Sequence, residues 1–143
     1  MEYPKTLFLI DDDNDDLEFF CEAAGKIDPS IICITSNDSV STLKSFQNFD
    51  VPVPDLIFLD LNMPLVDGRR FLRELKKLKT YSQIPVIIYS TSSHPRDKEE
   101  LQELGASGFL TKPCCQEDLI IELGNILANY SFALTDNTET KFK

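Results

Sequence analysis

Runs of consecutive apolar residues recur five times along the chain: Leu7-Phe8-Leu9-Ile10, Ile31-Ile32-Cys33-Ile34, Leu56-Ile57-Phe58-Leu59, Val86-Ile87-Ile88-Tyr89 and the shorter Phe109-Leu110. Continuous rather than alternating apolar runs of this length suit strands buried on both faces. Helical spacing appears between them. Leu17, Phe20, Cys21 and Ala24 fall at i, i+3, i+4 and i+7, predicting a first helix capped by Asn14 and ended by Gly25. Val40, Leu43 and Phe46 form a second, weaker stripe, and Phe71, Leu72, Leu75 and Leu78 a third, for which Asp67 is the natural N-cap. Leu101 and Leu104 mark a short fourth helix before Gly105, and Leu119, Ile120, Leu123, Ile126 and Leu127 a fifth.

Five strands alternating with five helices predict an α/β fold, (βα)5, with a parallel sheet covered by helices on both faces. No internal repeat and no linker to a second unit interrupt the pattern. One domain over residues 1–130 is expected, followed by a flexible polar tail over 131–143 that lacks a helical stripe. Residues 48–54, rich in proline, read as a surface loop.

The length of 143 residues suits a single domain, and 42% apolar residues suffice for a core. No apolar stretch is long enough for a membrane span or placed as a secretory signal, so a cytoplasmic location without membrane insertion is expected. The net charge of −10 argues against non-specific nucleic-acid binding. The charge is uneven: Arg69, Arg70, Arg73, Lys76, Lys77 and Lys79 cluster on the expected solvent side of the third helix, whereas five Asp crowd positions 11–16. Such crowding costs repulsion unless a cation sits among the carboxylates. Cys21, Cys33, Cys114 and Cys115 lack zinc-ligand spacing. Reduced thiols are expected, with Cys21 and Cys33 as small buried hydrophobes and the adjacent Cys114 and Cys115 as the pair to consider for redox activity.

In an open parallel sheet, ligands bind beyond the carboxyl ends of the strands. Here the first strand ends in Asp11-Asp12-Asp13, the third in Asp60, the fourth in Ser90-Thr91 and the fifth in Thr111-Lys112-Pro113. Carboxylates converging from two adjacent strands suit a hard cation such as Mg²⁺, which binds through one or two carboxylates plus phosphate oxygens. Lys112 at the same edge would neutralise a phosphoryl group brought to Asp60. Asp13, Asp15 and Asp16 read as solvated surface charge.

At this point the chain resembles the receiver domain of two-component response regulators, over residues 5–130. LFLIDDD resembles that family's first strand and acidic pair, DLIFLDLNMPLVDG its phosphoacceptor segment, IPVIIYSTSS its fourth strand and GASGFLTKP its fifth. The resemblance implies a flavodoxin-like sheet in the order 2-1-3-4-5. It implies phosphorylation of Asp60 by a sensor histidine kinase or histidine phosphotransfer protein. Mg²⁺, for which Mn²⁺ or Ca²⁺ could substitute, would be held directly by Asp12, Asp60 and the backbone carbonyl of Asn62, and by Asp11 mainly through water. Ser90 would be the switch hydroxyl, with Thr91 the other register, Phe109 the switch aromatic and Lys112 the phosphate-binding lysine. Phe109 also reads simply as a core residue. The Lys112–Pro113 bond is the candidate cis peptide. Asn62 and Ser92 flank the place where the family tunes dephosphorylation.

A stand-alone receiver would signal through a protein target on its helix 4, strand 5 and helix 5 face, or pass the phosphoryl group along a phosphorelay, as a monomer or a phosphorylation-dependent dimer. It would act on no substrate but its own phosphoryl group. Three other readings compete. A haloacid-dehalogenase-type phosphatase would place its nucleophile in Asp11-Asp12-Asp13, but leaves LDLNMPLVDG unexplained. A flavodoxin-like carrier needs a phosphate loop where Asp11–Asp16 would repel the phosphate. A receiver-like module that is never phosphorylated would not need the complete site.

Overall fold

The apolar runs form strands β1 (Thr6–Ile10), β2 (Ile32–Ser36), β3 (Leu56–Leu59), β4 (Val86–Ser90) and β5 (Gly108–Thr111) in a computed structural model that describes residues 3–91 and 94–142, with side chains through residue 130. Helices α1 (Asn14–Ile27), α2 (Ser39–Gln47), α3 (Gly68–Lys76), α4 (Pro95–Glu103) and α5 (Gln116–Phe142) alternate with them. All strand pairs are parallel, and the sheet order is β2-β1-β3-β4-β5. The expected α/β architecture and strand order are both observed. The backbone of α5 continues beyond residue 130 to Phe142, whereas the side chains of 131–143 lie outside the described residues.

Successive strand side chains point to opposite faces, so an unbroken apolar run feeds two cores at once. Phe8, Ile10, Ile57, Leu59, Val86 and Ile88 pack with Phe46 of α2 and Phe71, Leu72 and Leu75 of α3. Leu7, Leu9, Leu56, Phe58, Ile87 and Tyr89 pack on the other face, with Phe20 of α1 and Leu119, Leu123 and Leu127 of α5. Each such side chain contributes about 1.5–3 kcal/mol on burial. The core thereby fixes the backbone of β1, β3 and β4 up to the residue where each strand ends.

Local details depart from the sequence reading in several places. Asp13, not Asn14, caps α1, because its side chain accepts the Asp15 N–H at 2.9 Å. Gly25 lies inside α1 and does not end it, since Asp28 provides the C-cap. His94 caps α4 ahead of Pro95. The basic cluster is not simply a solvated face. Arg69 bridges Asp97 and Glu100 of α4 at 2.7 and 2.8 Å, and Lys76 donates to the carbonyls of Ser82 and Ile84. Cys21 and Cys33 are half-buried rather than core, with their sulfurs 2.9 Å apart.

Candidate functional site at the carboxyl edge of the sheet

Hydrogen bonding leaves no slack at the ends of the central strands. The Asp11 N–H donates to the Ser36 carbonyl at 3.1 Å, the Asp60 N–H to Ile10 at 2.9 Å and the Lys112 N–H to Ser90 at 2.9 Å. Each site side chain therefore leaves from a backbone position set by its neighbouring strand. Asp11 is fully buried, Asp60 and Ser90 nearly so, while Asp12 is exposed. Ser90 and not Thr91 is the buried hydroxyl residue at the end of β4.

The turn after β3 folds back against this edge. The Gly68 N–H donates to the Leu61 carbonyl at 2.9 Å, and a Cβ on Gly68 would lie 2.6 Å from the Asp60 carbonyl oxygen and 2.8 Å from the Leu61 Cα. Glycine is required there by close approach to backbone. Leu65 in the same turn has φ 67° and is 87% exposed beside the site.

Carboxylate oxygens of Asp11, Asp12 and Asp60 all lie within 4.8 Å of one another. Lys112 Nζ stands 2.8 Å from Asp11 Oδ2, 2.8 Å from Asp16 Oδ2 and 3.7 Å from Asp60 Oδ1. Asp11 Oδ1 accepts the Asp13 N–H at 3.0 Å. Its Oδ2 is buried and, among the described residues, is approached only by the ammonium of Lys112. Asp60 Oδ1 receives a long contact of 3.4 Å from the Asn62 N–H besides the distant ammonium of Lys112. Under-satisfied carboxylate oxygens facing one another are what a hard divalent cation occupies.

The electrostatics agree with the geometry. Burial first, and then the charge of Asp11, push the Asp60 carboxyl up to about 7. Burial likewise raises Asp11, against the opposing pull of Lys112. For Lys112, burial alone would favour the neutral amine, but Asp11 and Asp16 reverse that and hold it as an ammonium. The ring of Tyr89 lies 5.3 Å below Nζ and closes the lysine in from beneath.

Asp11, Asp12, Asp60, Ser90 and Lys112 thus share one edge. Phe109 is half-buried against the α2–α3–α4 core, with Lys98 Nζ 5.8 Å over its ring. Ser92 lies outside the described residues. There is no cis peptide bond among the described residues, so Lys112–Pro113 is trans, against expectation. For an X–Pro bond trans is the lower form by about 0.5–1 kcal/mol, and Lys112 reaches the carboxylates with the bond trans. Asp16 is the residue that sequence reasoning missed. Its signal was its position four residues before Phe20, which places it on the buried stripe of α1 rather than on the solvent side.

The family model for the response regulator receiver domain matches residues 7–123. The chain belongs to this family. It is a response-regulator receiver domain, a signalling domain of two-component systems. That assignment displaces the phosphatase and flavodoxin readings. The receiver is 32% identical over 122 residues to response regulator Rcp1 of Synechocystis, covering 81% of this chain and 82% of that protein. The crystal structure of the Mn²⁺-bound form of Rcp1 superposes with TM-score 0.75 at 30% identity, over 86% of this chain and 91% of that one. Chemotaxis protein CheY4 of Vibrio cholerae superposes with TM-score 0.72 at 25% identity, over 87% and 99%. Against longer regulators the receiver spans less than half of the relative: 41% of BceR of Halalkalibacterium halodurans and 38% of KdpE of Escherichia coli. The acidic cluster fits the divalent metal that receiver domains bind. No helix among the described residues is long and apolar enough to cross a membrane.

Proposed function

We propose that the receiver unit, residues 1–130, accepts a phosphoryl group on Asp60 from the phosphohistidine of a sensor histidine kinase or histidine phosphotransfer protein, in a Mg²⁺-dependent reaction. The observation that carries this is the placement of the Asp60 carboxylate between two other carboxylates within 4.8 Å and an ammonium 3.7 Å away. An Asp60 oxygen attacks phosphorus in line, the P–N bond breaks, and the imidazole leaves with its electron pair. Lys112 pairs with a phosphoryl oxygen, and Ser90 offers its hydroxyl from the end of β4. Asp11, Asp12, Asp60 and the carbonyl of Asn62 would hold Mg²⁺, which when bound offsets the charge gathered on the phosphoryl oxygens. No general base is needed, since the nucleophile is already a carboxylate once cation and lysine favour its charged form.

The protein acts in the cytoplasm, as a monomer or a phosphorylation-dependent dimer. Its message leaves through a target protein on the α4–β5–α5 face, with Phe109 as the ring that repacks, or through onward transfer in a relay. Incubation with Mg²⁺ and acetyl phosphate, read by intact mass, tests the chemistry. One added phosphoryl group is expected on the wild type and on Asp15→Asn but not on Asp60→Asn. An adduct that survives Asp60→Asn, or none at all with a cognate kinase present, contradicts the proposal.

A further inference from the structure

We propose that Asp16 is a positioning residue for Lys112: a carboxylate on α1 that holds the ammonium beside Asp60 until a phosphoryl group competes for it. The idea rests on the phosphoacceptor role of Asp60 and adds to it a rival for the lysine. An ammonium has three N–H donors. Asp11 and Asp16 each approach Nζ at 2.8 Å, Tyr89 closes the face beneath, and the open side looks toward Asp60 at 3.7 Å. The two anchors are not alike. The Asp11 side chain is fully buried at the end of β1, whereas that of Asp16 is 34% exposed in the first turn of α1. Water can therefore take over the solvation of Asp16, but not of Asp11, once Lys112 turns away.

A phosphoryl group on Asp60 brings more negative charge to the open side than Asp16 carries. Lys112 would shift from Asp16 to the phosphoryl oxygens and keep Asp11. That shift unties α1 from β5, so the charge state of Asp60 would be felt on α1. Asp16 thereby opposes phosphoryl-group binding and sets how strongly Lys112 must be recruited.

The test uses beryllofluoride, a phosphoryl mimic, with Mg²⁺ on the full chain. Asp16→Asn should bind the mimic about three- to tenfold more tightly than wild type. Asp15→Asn removes the same charge from an exposed neighbour and should change affinity less than twofold, while Asp16→Glu should return toward wild type. In a Lys112→Met background, Asp16→Asn should have no further effect. A second readout needs no metal: in chelator, Lys112 of Asp16→Asn should be acetylated faster than in wild type, as peptide mapping would show. Equal effects of Asp15→Asn and Asp16→Asn on both readouts, or weaker mimic binding by Asp16→Asn, would overturn the role of Asp16. If the wild type binds no mimic at all, the phosphoacceptor reading fails instead, and Lys112 reactivity still reports on the anchor.

A separate observation carries a second inference. Cys21 on α1 and Cys33 on β2 bring their sulfurs into contact at 2.9 Å, both half-buried on the side of the sheet that α1 covers. We infer that this pair is a modification site for hydroperoxides. The Cys21 thiolate attacks the peroxide oxygen, the O–O bond breaks to release an alcohol or water, and a sulfenic acid forms. The Cys33 sulfur then attacks that sulfur and expels water, so two thiols and one peroxide give one disulfide. The Cys33 hydrogen bond favours the Cys21 thiolate, consistent with Cys21 as the attacking thiol.

Treatment with hydrogen peroxide should lower the intact mass by two hydrogens and link the peptides holding Cys21 and Cys33. Cys21→Ser should abolish the link, whereas the double Cys114→Ser, Cys115→Ser variant should keep it. Full alkylation of both thiols after peroxide, or a link only between Cys114 and Cys115, would refute the assignment.

Discussion

Replacing Asp60 by Asn should stabilise the metal-free protein at neutral pH, even though it removes the phosphoacceptor. The Asp60 side chain is 6% exposed, and burial together with the Asp11 charge lifts its pKa from 3.8 to about 7. A carboxyl whose folded pKa lies above its unfolded one binds an extra proton in the folded state between the two values. Stability therefore falls as pH rises from about 4 to about 7 and is level beyond. At about 1.36 kcal/mol per pH unit the gap sets a ceiling of about 4 kcal/mol. Asp11 and Lys112 share that energy, and Asn forfeits the attraction to Lys112 at 3.7 Å. A net gain of about 1–3 kcal/mol above pH 7 follows. Urea titrations of both proteins in chelator, at several pH values from about 8 down to about 4, measure it; in melting experiments each kcal/mol is about 2–4 °C. The gain should shrink as pH falls, because the wild-type carboxyl is then protonated in both states. Added Mg²⁺ should stabilise the wild type more than the variant, which lacks a ligand. A variant no more stable than wild type at pH 8, or a difference that does not narrow toward pH 4, would refute the reasoning.

Other substitutions probe the frame around the site. Gly68→Ala drives a Cβ into the Asp60 carbonyl and should cost about 1–3 kcal/mol in urea titrations, while slowing acetyl phosphate labelling. Gly25→Ala, in the interior of α1 where a Cβ meets nothing within 4 Å, should stabilise by about 0.5–1 kcal/mol. Lys112→Met leaves the fully buried Asp11 without its cation and should cost about 3 kcal/mol in chelator. That loss should diminish as pH is lowered and Asp11 takes up a proton.

Much of the fold was written in local pattern. The runs at Leu7–Ile10, Leu56–Leu59 and Val86–Tyr89 suited strands buried on both faces, because every second residue then finds its own core, whereas Ile32 in the similar run of β2 is exposed. The stripes around Phe20, Phe71 and Leu123 supplied the helices that cover them. Helix ends were less legible. Asn14 and Asp13 are both good caps, and which one caps depends on where the strand releases the chain. Gly25 looked like a stop, but its neighbours Ala24 and Ile27 keep α1 packed past it.

For the site, residue type and strand position were enough to nominate Asp11, Asp12, Asp60, Ser90 and Lys112, since a strand's end is anchored by its core. What such reasoning cannot supply is which charges face each other across strands that are distant in sequence. The ion pair of Asp16 with Lys112 spans 96 positions, and Asp16 was set aside as surface charge until α1 packed over β1 and brought it to the lysine. The closeness of Cys21 to Cys33 and the trans Lys112–Pro113 bond are of the same kind. The sequence by itself determined the element order, the two-faced core and the edge on which the carboxylates gather, because periodicity and the parallel sheet leave few alternatives. Tertiary packing alone decided how Lys112 is shared among Asp11, Asp16 and Asp60, because distances of a few ångströms across strands depend on how the helices settle on the sheet.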